Sequence, residues 1–353
     1  MGGFFLSKKS WNQYKNEFEI KAQKAGKSTD YIIENLNYAK HLYNKNLPII
    51  YDSTHLSYLI GVNQEYLYKV ANKQKLFYRK FYIKKKNGTN RLIHEPLPNL
   101  KIIQSWILQN ILHNIQPSEF AKAYIPKGSI KENVRFHKGQ KLVLKLDIEN
   151  FFGNVSEREV YSVFKALGFH ENLTVLFSKL CTLHGSLPQG ASTSAYLSNL
   201  ILRDFDEKVS EYCLSKKIRY TRYADDLTFS GNFNYKDVIK VVTQELKKIN
   251  LKLNTNKTRV LRQNQSQIVT GIVVNKKIQI SSRYRRRIRL ELYYIQKFGL
   301  YDHLRETKSK LEAQQYIISI LGKINYCLFI NPHDLEMQKY RDIMNNLKQK
   351  FNY

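Results

Sequence analysis

The sequence predicts an α+β fold, and three observations carry that reading. Two central stretches have strand character: 142–147 is a short apolar run ending in an acid, and 218–231 alternates apolar and polar residues around a tight turn. The first 75 residues, and the chain from Arg283 to the C-terminus, read instead as helical and basic. Helical stretches also separate the strands, near 100–113, 156–183 and 235–249.

The elements follow in order from local signals. Ser10 is placed to cap a helix running toward Lys24, and Ser28 or Thr29 another through Asn44. Residues 55–62 and 64–68 read as helix, glycine turn, helix, either a DNA-reading helix-turn-helix or, as favoured here, a packed helical hairpin. From Phe81 to Ile93 the pattern is a hairpin around Asn87-Gly88, with Lys84, Lys85, Lys86 and Arg91 on its sides. Pro96 and Pro98 then lead into a helix from about Leu100 to His113. Ser129 with Glu132 three residues on predicts a capping box, and Asn133 and His137 fall on one face of that helix. Ser156 is a further cap, and a helix is expected from the 187–199 stretch to about Lys208. Residues 267–277 read as two strands with Asn275, Lys276 and Lys277 at the turn. Two helices are expected between 308 and 350, parted near Asn331-Pro332.

Composition narrows the class of partner. Fifty-eight Lys and Arg against 29 Asp and Glu give a formal charge of +29 over 353 residues, the balance of a chain that meets a polyanion. The 25 Tyr and 18 Phe are interleaved with the basic residues; most belong to the core, and some offer faces for unpaired bases. Cys181, Cys213 and Cys327 lack metal-ligand spacing, and no apolar run reaches the ~18 residues of a membrane span. A soluble, cytoplasmic protein without a membrane partner is expected.

The chemistry concentrates at Tyr223-Ala224-Asp225-Asp226. Adjacent carboxylates repel and raise each other's pKa, so they are held together either as a solvated turn or by a cation such as Mg²⁺. The strand ending at Asp147 changes the balance, because an acid delivered opposite an Asp-Asp hairpin is what a two-metal phosphoryl-transfer site requires.

On these residues the chain resembles reverse transcriptases. Tyr223-Ala224-Asp225-Asp226 is similar to their catalytic box, and Asp147 with Phe152 to their first palm motif. The spacing of Asn133 and His137, with Val134 where the family has Ala, and the triplet Val269-Thr270-Gly271 resemble elements of the retron enzymes. The resemblance covers roughly residues 75–300. It implies a right-hand polymerase with a ferredoxin-like palm: a helical N-terminal extension (1–75), fingers (76–140), palm (141–275) and a helical thumb (276–353). It implies Asp147, Asp225 and Asp226, with Ile148, as the site of two Mg²⁺ ions, and Lys257 as the residue that neutralises or protonates leaving pyrophosphate. Arg91, Phe152, Gln189 and Gly190 would meet the incoming dNTP, Phe152 by excluding a ribose 2′-hydroxyl and Gly190 by letting the backbone approach the nascent pair. Ser192 and Ala195 stand where such polymerases often carry Pro. Asn133 and His137 would brace the palm or grip RNA, and Arg283, Arg285, Arg286 and Arg287 would contact phosphates. The implied partners are a structured non-coding RNA serving as template and, through an internal guanosine 2′-hydroxyl, as primer, its DNA product, and a separate effector protein in anti-phage defence. Alternatives are another defence or group II intron-like reverse transcriptase, or a non-catalytic RNA-binding protein of the same fold.

Overall fold

The computed structural model describes residues 10–85 and 88–350. Helices α1 (Trp11–Lys24) and α2 (Thr29–Asn44) start where the sequence places them, Ser10 and Ser28 accepting from the Gln13 and Tyr31 N–H groups. Helices α3 (Ser53–Ile60) and α4 (Gln64–Asn72) form the expected helical pair, joined through Gly61 at φ 77°. Strands β1 (Tyr78–Lys84) and β2 (Asn90–Pro96) pair antiparallel; of the turn between them, Lys86 and Asn87 lie outside the described residues. Helix α5 (Pro98–Asn110) follows with Pro98 in its first turn. At α6 (Ile130–Arg135) the Ser129 hydroxyl accepts from Lys131 N–H, an early cap rather than the box expected with Glu132.

Strand β3 (Leu142–Asp147) is followed by a single helical turn, α7 (Phe151–Asn154), and by α8 (Glu157–Leu167) and α9 (Glu171–Cys181). The helix expected after residue 193 is two: α10 (Ser194–Ile201) and α11 (Arg203–Ser215). Then come β4 (Arg219–Tyr223), β5 (Asp226–Gly231), α12 (Tyr235–Lys248) and β6 (Arg259–Arg262). The 267–280 stretch forms β7 (Ile268–Val269), β8 (Ile272–Val273) and β9 (Gln279–Ile280). Its first reversal falls at Thr270-Gly271, both at positive φ (45° and 85°), while Asn275 to Lys277 lie in the next connection. The C-terminal helices are α13 (Ser282–Phe298), α14 (Leu300–Glu306), α15 (Ala313–Ile330) and α16 (Leu335–Lys350).

Two compact units emerge. One holds the residues up to Ile125 with Ile148–Lys208 and Glu245–Lys252; the other holds Pro126–Asp147, Val209–Gln244 and the residues from Leu253 onward. Compactness thus groups the N-terminal helices with the β1–β2 hairpin, and the acid-bearing strands with the C-terminal helices. In the first unit, buried Gln104 on α5 donates to the Tyr78 hydroxyl and the Leu180 carbonyl, tying the hairpin base to α9. The second unit is built on an antiparallel sheet in the order β4-β5-β3-β6. Its core runs from Val134 and Val143 through Val269 and Ile272 to Leu292 and Ile324. Among the described residues no helix is long and apolar enough to cross a membrane, and all three cysteines are free and buried.

Candidate active site

The sheet register brings the acids together. Asp147 ends β3 directly opposite Asp226, the first residue of β5, so in this antiparallel pairing both side chains leave the same face. A slip of one residue would send one of them to the other face. Asp225 precedes Asp226 in the β4–β5 turn, which reverses through Ala224 at φ 59°. The fully buried Arg222 guanidinium reaches the Ala224 carbonyl at 3.3 Å, steadying that turn.

The electrostatics are those of an acid cluster short of positive charge. The Asp225 carboxyl is pushed up to about 6, by burial first and then by Asp147. Asp226 is also raised, by burial and by Asp147, against the opposing pull of Lys145 and Lys257. Lys257 sits on a short 3₁₀ turn, Thr255–Lys257, with Nζ 2.7 and 2.9 Å from the two Asp147 oxygens. Burial disfavours its charge, yet the bonds to Asp147 and the neighbouring carboxylates hold its pKa above the ordinary lysine range. Among the described residues no three acidic, histidine or cysteine side chains are already converged as a ligand cage, and the Asp147 carboxylate is turned to Lys257 instead. The donor set still fits a hard cation, since oxygen ligands whose ionised forms are destabilised by one another gain most from one. Ile148 is buried beside Asp147 in the chain, and an isoleucine has only its backbone carbonyl to offer a metal.

The structure places the remaining sequence-derived residues less uniformly. Arg91 is exposed on β2, opposite Ile83 in the hairpin. Phe152 lies on α7 against Phe151, ring centroids 5.2 Å apart. Gly190, at φ 125°, permits a close approach, but to β2: a Cβ there would stand 2.8 Å from the His94 carbonyl oxygen, and His94 N–H donates to the Gln189 carbonyl at 2.8 Å. Ser192 sits before α10, its hydroxyl 3.4 Å from that of Ser105. In this unit the Gln189-Gly190 loop is therefore a clasp on the hairpin.

Three expectations are corrected. Asn133 and His137 are fully buried, and their polar atoms are spent on Thr221, Ser230 and Thr270, so neither presents a surface to RNA; of the two roles open from the sequence, the geometry is that of a brace. Arg285 turns inward from its run to Asp334 at 3.1 Å and Glu336 at 2.7 Å, whereas Arg283, Arg286 and Arg287 are exposed on α13. Alternation of this kind predicts half-buried strands, yet the polar face of β4–β5 is covered too: Thr221, Thr228 and Ser230 are buried. Sequence reading missed these hydroxyls because polar residues at every second position ordinarily mark a wet face.

Comparison with known proteins gives the family. The family model of reverse transcriptase (RNA-dependent DNA polymerase) matches residues 83–282. The chain belongs to that family, with the right-hand polymerase fold, and is an RNA-directed DNA polymerase. It is of the retron type: it is 29% identical to the retron Ec86 reverse transcriptase of Escherichia coli, over 87% of this chain and 96% of that one. It is likewise 29% identical to the retron Mx65 reverse transcriptase of Myxococcus xanthus, over 78% of this chain and 67% of the other. Enzymes of this family use divalent metal ions.

Proposed function

We propose that this reverse transcriptase copies part of a cognate structured RNA into single-stranded DNA, primed from an internal guanosine 2′-hydroxyl, leaving a branched RNA–DNA product. The observation that carries the catalytic half is the Asp147–Asp226 register with Asp225 beside it, where burial and the neighbouring Asp147 raise the Asp225 and Asp226 carboxyls. The retron kinship supports the RNA, the 2′-priming and a role in cytoplasmic anti-phage defence beside a separate effector protein.

Asp147, Asp225 and Asp226, with the Ile148 carbonyl, would hold two Mg²⁺ ions, which when bound supply Lewis-acid stabilisation of the attacking and leaving oxygens. The chain's own residues position the reactants. The primer hydroxyl loses its proton to solvent and attacks the α-phosphorus of a dNTP, the bond to the bridging oxygen breaks, and pyrophosphate departs. Little covalent chemistry falls to the protein, so alignment and charge carry the rate. Lys257, protonated across the physiological range, faces the acids with the charge or proton that a leaving pyrophosphate takes up. Arg91 would meet the triphosphate, Gln189 and Gly190 the nascent pair, and Phe152 would close the space of a 2′-hydroxyl. Arg283, Arg286 and Arg287 offer exposed guanidinium groups to duplex phosphates.

The test is primer extension by Asp225→Asn/Asp226→Asn on an RNA template. Synthesis should fall to background while RNA affinity stays within about 2-fold, since the substitution removes charge and not shape. Retained extension would overturn the site.

A further inference from the structure

Asn133 and His137 belong to one stretch of sequence and Thr270 to another, yet one line of hydrogen bonds joins all three through Thr221 of the catalytic hairpin and ends on its Ser230. Thr221 Oγ1 donates to Asn133 Oδ1 at 2.6 Å. A hydroxyl has one proton, so the same oxygen accepts from His137 Nε2–H at 2.8 Å. Nε2 then carries the ring proton, Nδ1 is bare, and the Ser230 hydroxyl donates to it at 2.7 Å. At the far end Asn133 Nδ2 donates to Thr270 Oγ1 at 3.4 Å. The order is Ser230, His137, Thr221, Asn133, Thr270, every proton pointing one way. The first four side chains are buried.

The placement gives this line a use. Thr221 lies on β4 opposite Thr228, two residues before Tyr223, which pairs with Asp226. Ser230 lies on β5 four residues past Asp226, on the face that Asp226 and Asp147 share. Thr270 makes the β7–β8 turn with a φ of 45°, a conformation a β-branched residue rarely adopts without something to hold it. The line therefore clamps both arms of the acid-bearing hairpin, through Asn133 of α6 and His137 just beyond it, to the β7–β8 hairpin.

We infer that Thr221, Ser230 and Thr270, with Asn133 and His137, are positioning residues for polymerisation: they fix the acid-bearing strands, and with them Asp225 and Asp226, against the β7–β8 hairpin. This rests on the reading of Asp147, Asp225 and Asp226 as the polymerase acids. A displacement of about 1 Å between a primer hydroxyl and those acids is enough to cost on the order of 100-fold in rate. A one-way line of closed bonds is a device for holding such a distance, because no member can rotate without stranding its neighbour's buried donor or acceptor.

The experiment compares Thr221→Val and Thr221→Ser with the unmodified chain, extending an oligo(dT) primer on poly(rA) with dTTP in single turnover. Active sites are titrated so that rates are per competent enzyme. Thr221→Val keeps the shape and removes both bonds; its rate constant should fall roughly 10-fold or more, with the half-saturating dTTP concentration changed less than about 2-fold. Thr221→Ser should restore the unmodified rate. Thr270→Val and Thr270→Ser repeat the pair at the partly exposed end of the line, where folding is least at risk, and Thr270→Val should slow the step several-fold. A fall only in the fraction of active enzyme, with the per-site rate unchanged in both valine variants, would make the line a matter of stability and overturn the inference. Failure of the acid reading is separate: Asp225→Asn/Asp226→Asn would then still extend the primer.

Discussion

His137 offers a prediction that can be worked through to a number. Its ring is buried and its pKa is pushed down to about 3, by burial first and by the Arg219 guanidinium second. In the unfolded chain the same ring titrates near 6.5. Above that value both states hold the ring neutral, and it contributes no pH dependence. Below it the unfolded chain takes up a proton that the folded chain refuses, so stability falls by about 1.4 kcal/mol per pH unit until pH approaches the folded value. Between about pH 7.5 and 5.5 this one ring should therefore remove about 1.4 kcal/mol. His137→Gln keeps a donor and an acceptor but cannot titrate. It should be less stable at about pH 7.5 by 1–3 kcal/mol, through imperfect bonds to Ser230 and Thr221. Its further loss on going to the lower pH should then be smaller than that of the unmodified chain by about 1.4 kcal/mol. Urea denaturation of both proteins at both pH values measures this, and the contributions of Asp225 and the other carboxylates cancel in the difference. Equal pH losses in the two proteins would refute the closed, neutral line on which His137 has been placed.

Other consequences follow from single contacts. Gly190→Ala would drive a Cβ to 2.8 Å from the His94 carbonyl at a φ of 125°; a loss of about 2–4 kcal/mol in thermal stability is expected from strain and overlap, and an unchanged melting temperature would contradict the clasp. Lys257→Met should slow primer extension by roughly 100-fold if its ammonium serves the leaving group, read as kcat at saturating dNTP. Phe152→Ala should narrow the preference for dTTP over UTP by on the order of 10-fold or more, measured by competing the two nucleotides. Arg286→Ala/Arg287→Ala should lower the slope of log affinity for duplex against log salt by about 1–2, while Arg285→Ala, which breaks the contacts to Asp334 and Glu336, should act on stability instead.

What the sequence discloses and what it hides divide along physical lines. The acids were legible because a strand's period of two, with an acid at each strand end, specifies which side chains share a face once the strands pair. Asp147 opposite Asp226 follows from that pattern. Helix starts at Ser10, Ser28 and Ser156 were legible because a cap is a local bond. Burial of Asn133 and His137 was not, since four-residue spacing places them on one helix face without saying what covers that face. The inward turn of Arg285 depends on Asp334 and Glu336, some 50 residues further along, and no local rule anticipates it. The reversal at Thr270 escaped because β-branched residues seldom take positive φ, and Asn275 with two lysines looked the better turn. The close approach at Gly190 was anticipated in kind, but its partner is His94 of β2.

The most direct test of the central proposal is to purify the protein from cells expressing its gene with the flanking DNA and sequence the nucleic acid that comes with it. The expected result is a short, discrete single-stranded DNA joined to an RNA from the adjacent locus, with a junction that resists RNase and maps to one guanosine. RNA alone, or heterogeneous DNA with no branch, would contradict 2′-hydroxyl priming and leave the chain a reverse transcriptase of another mode.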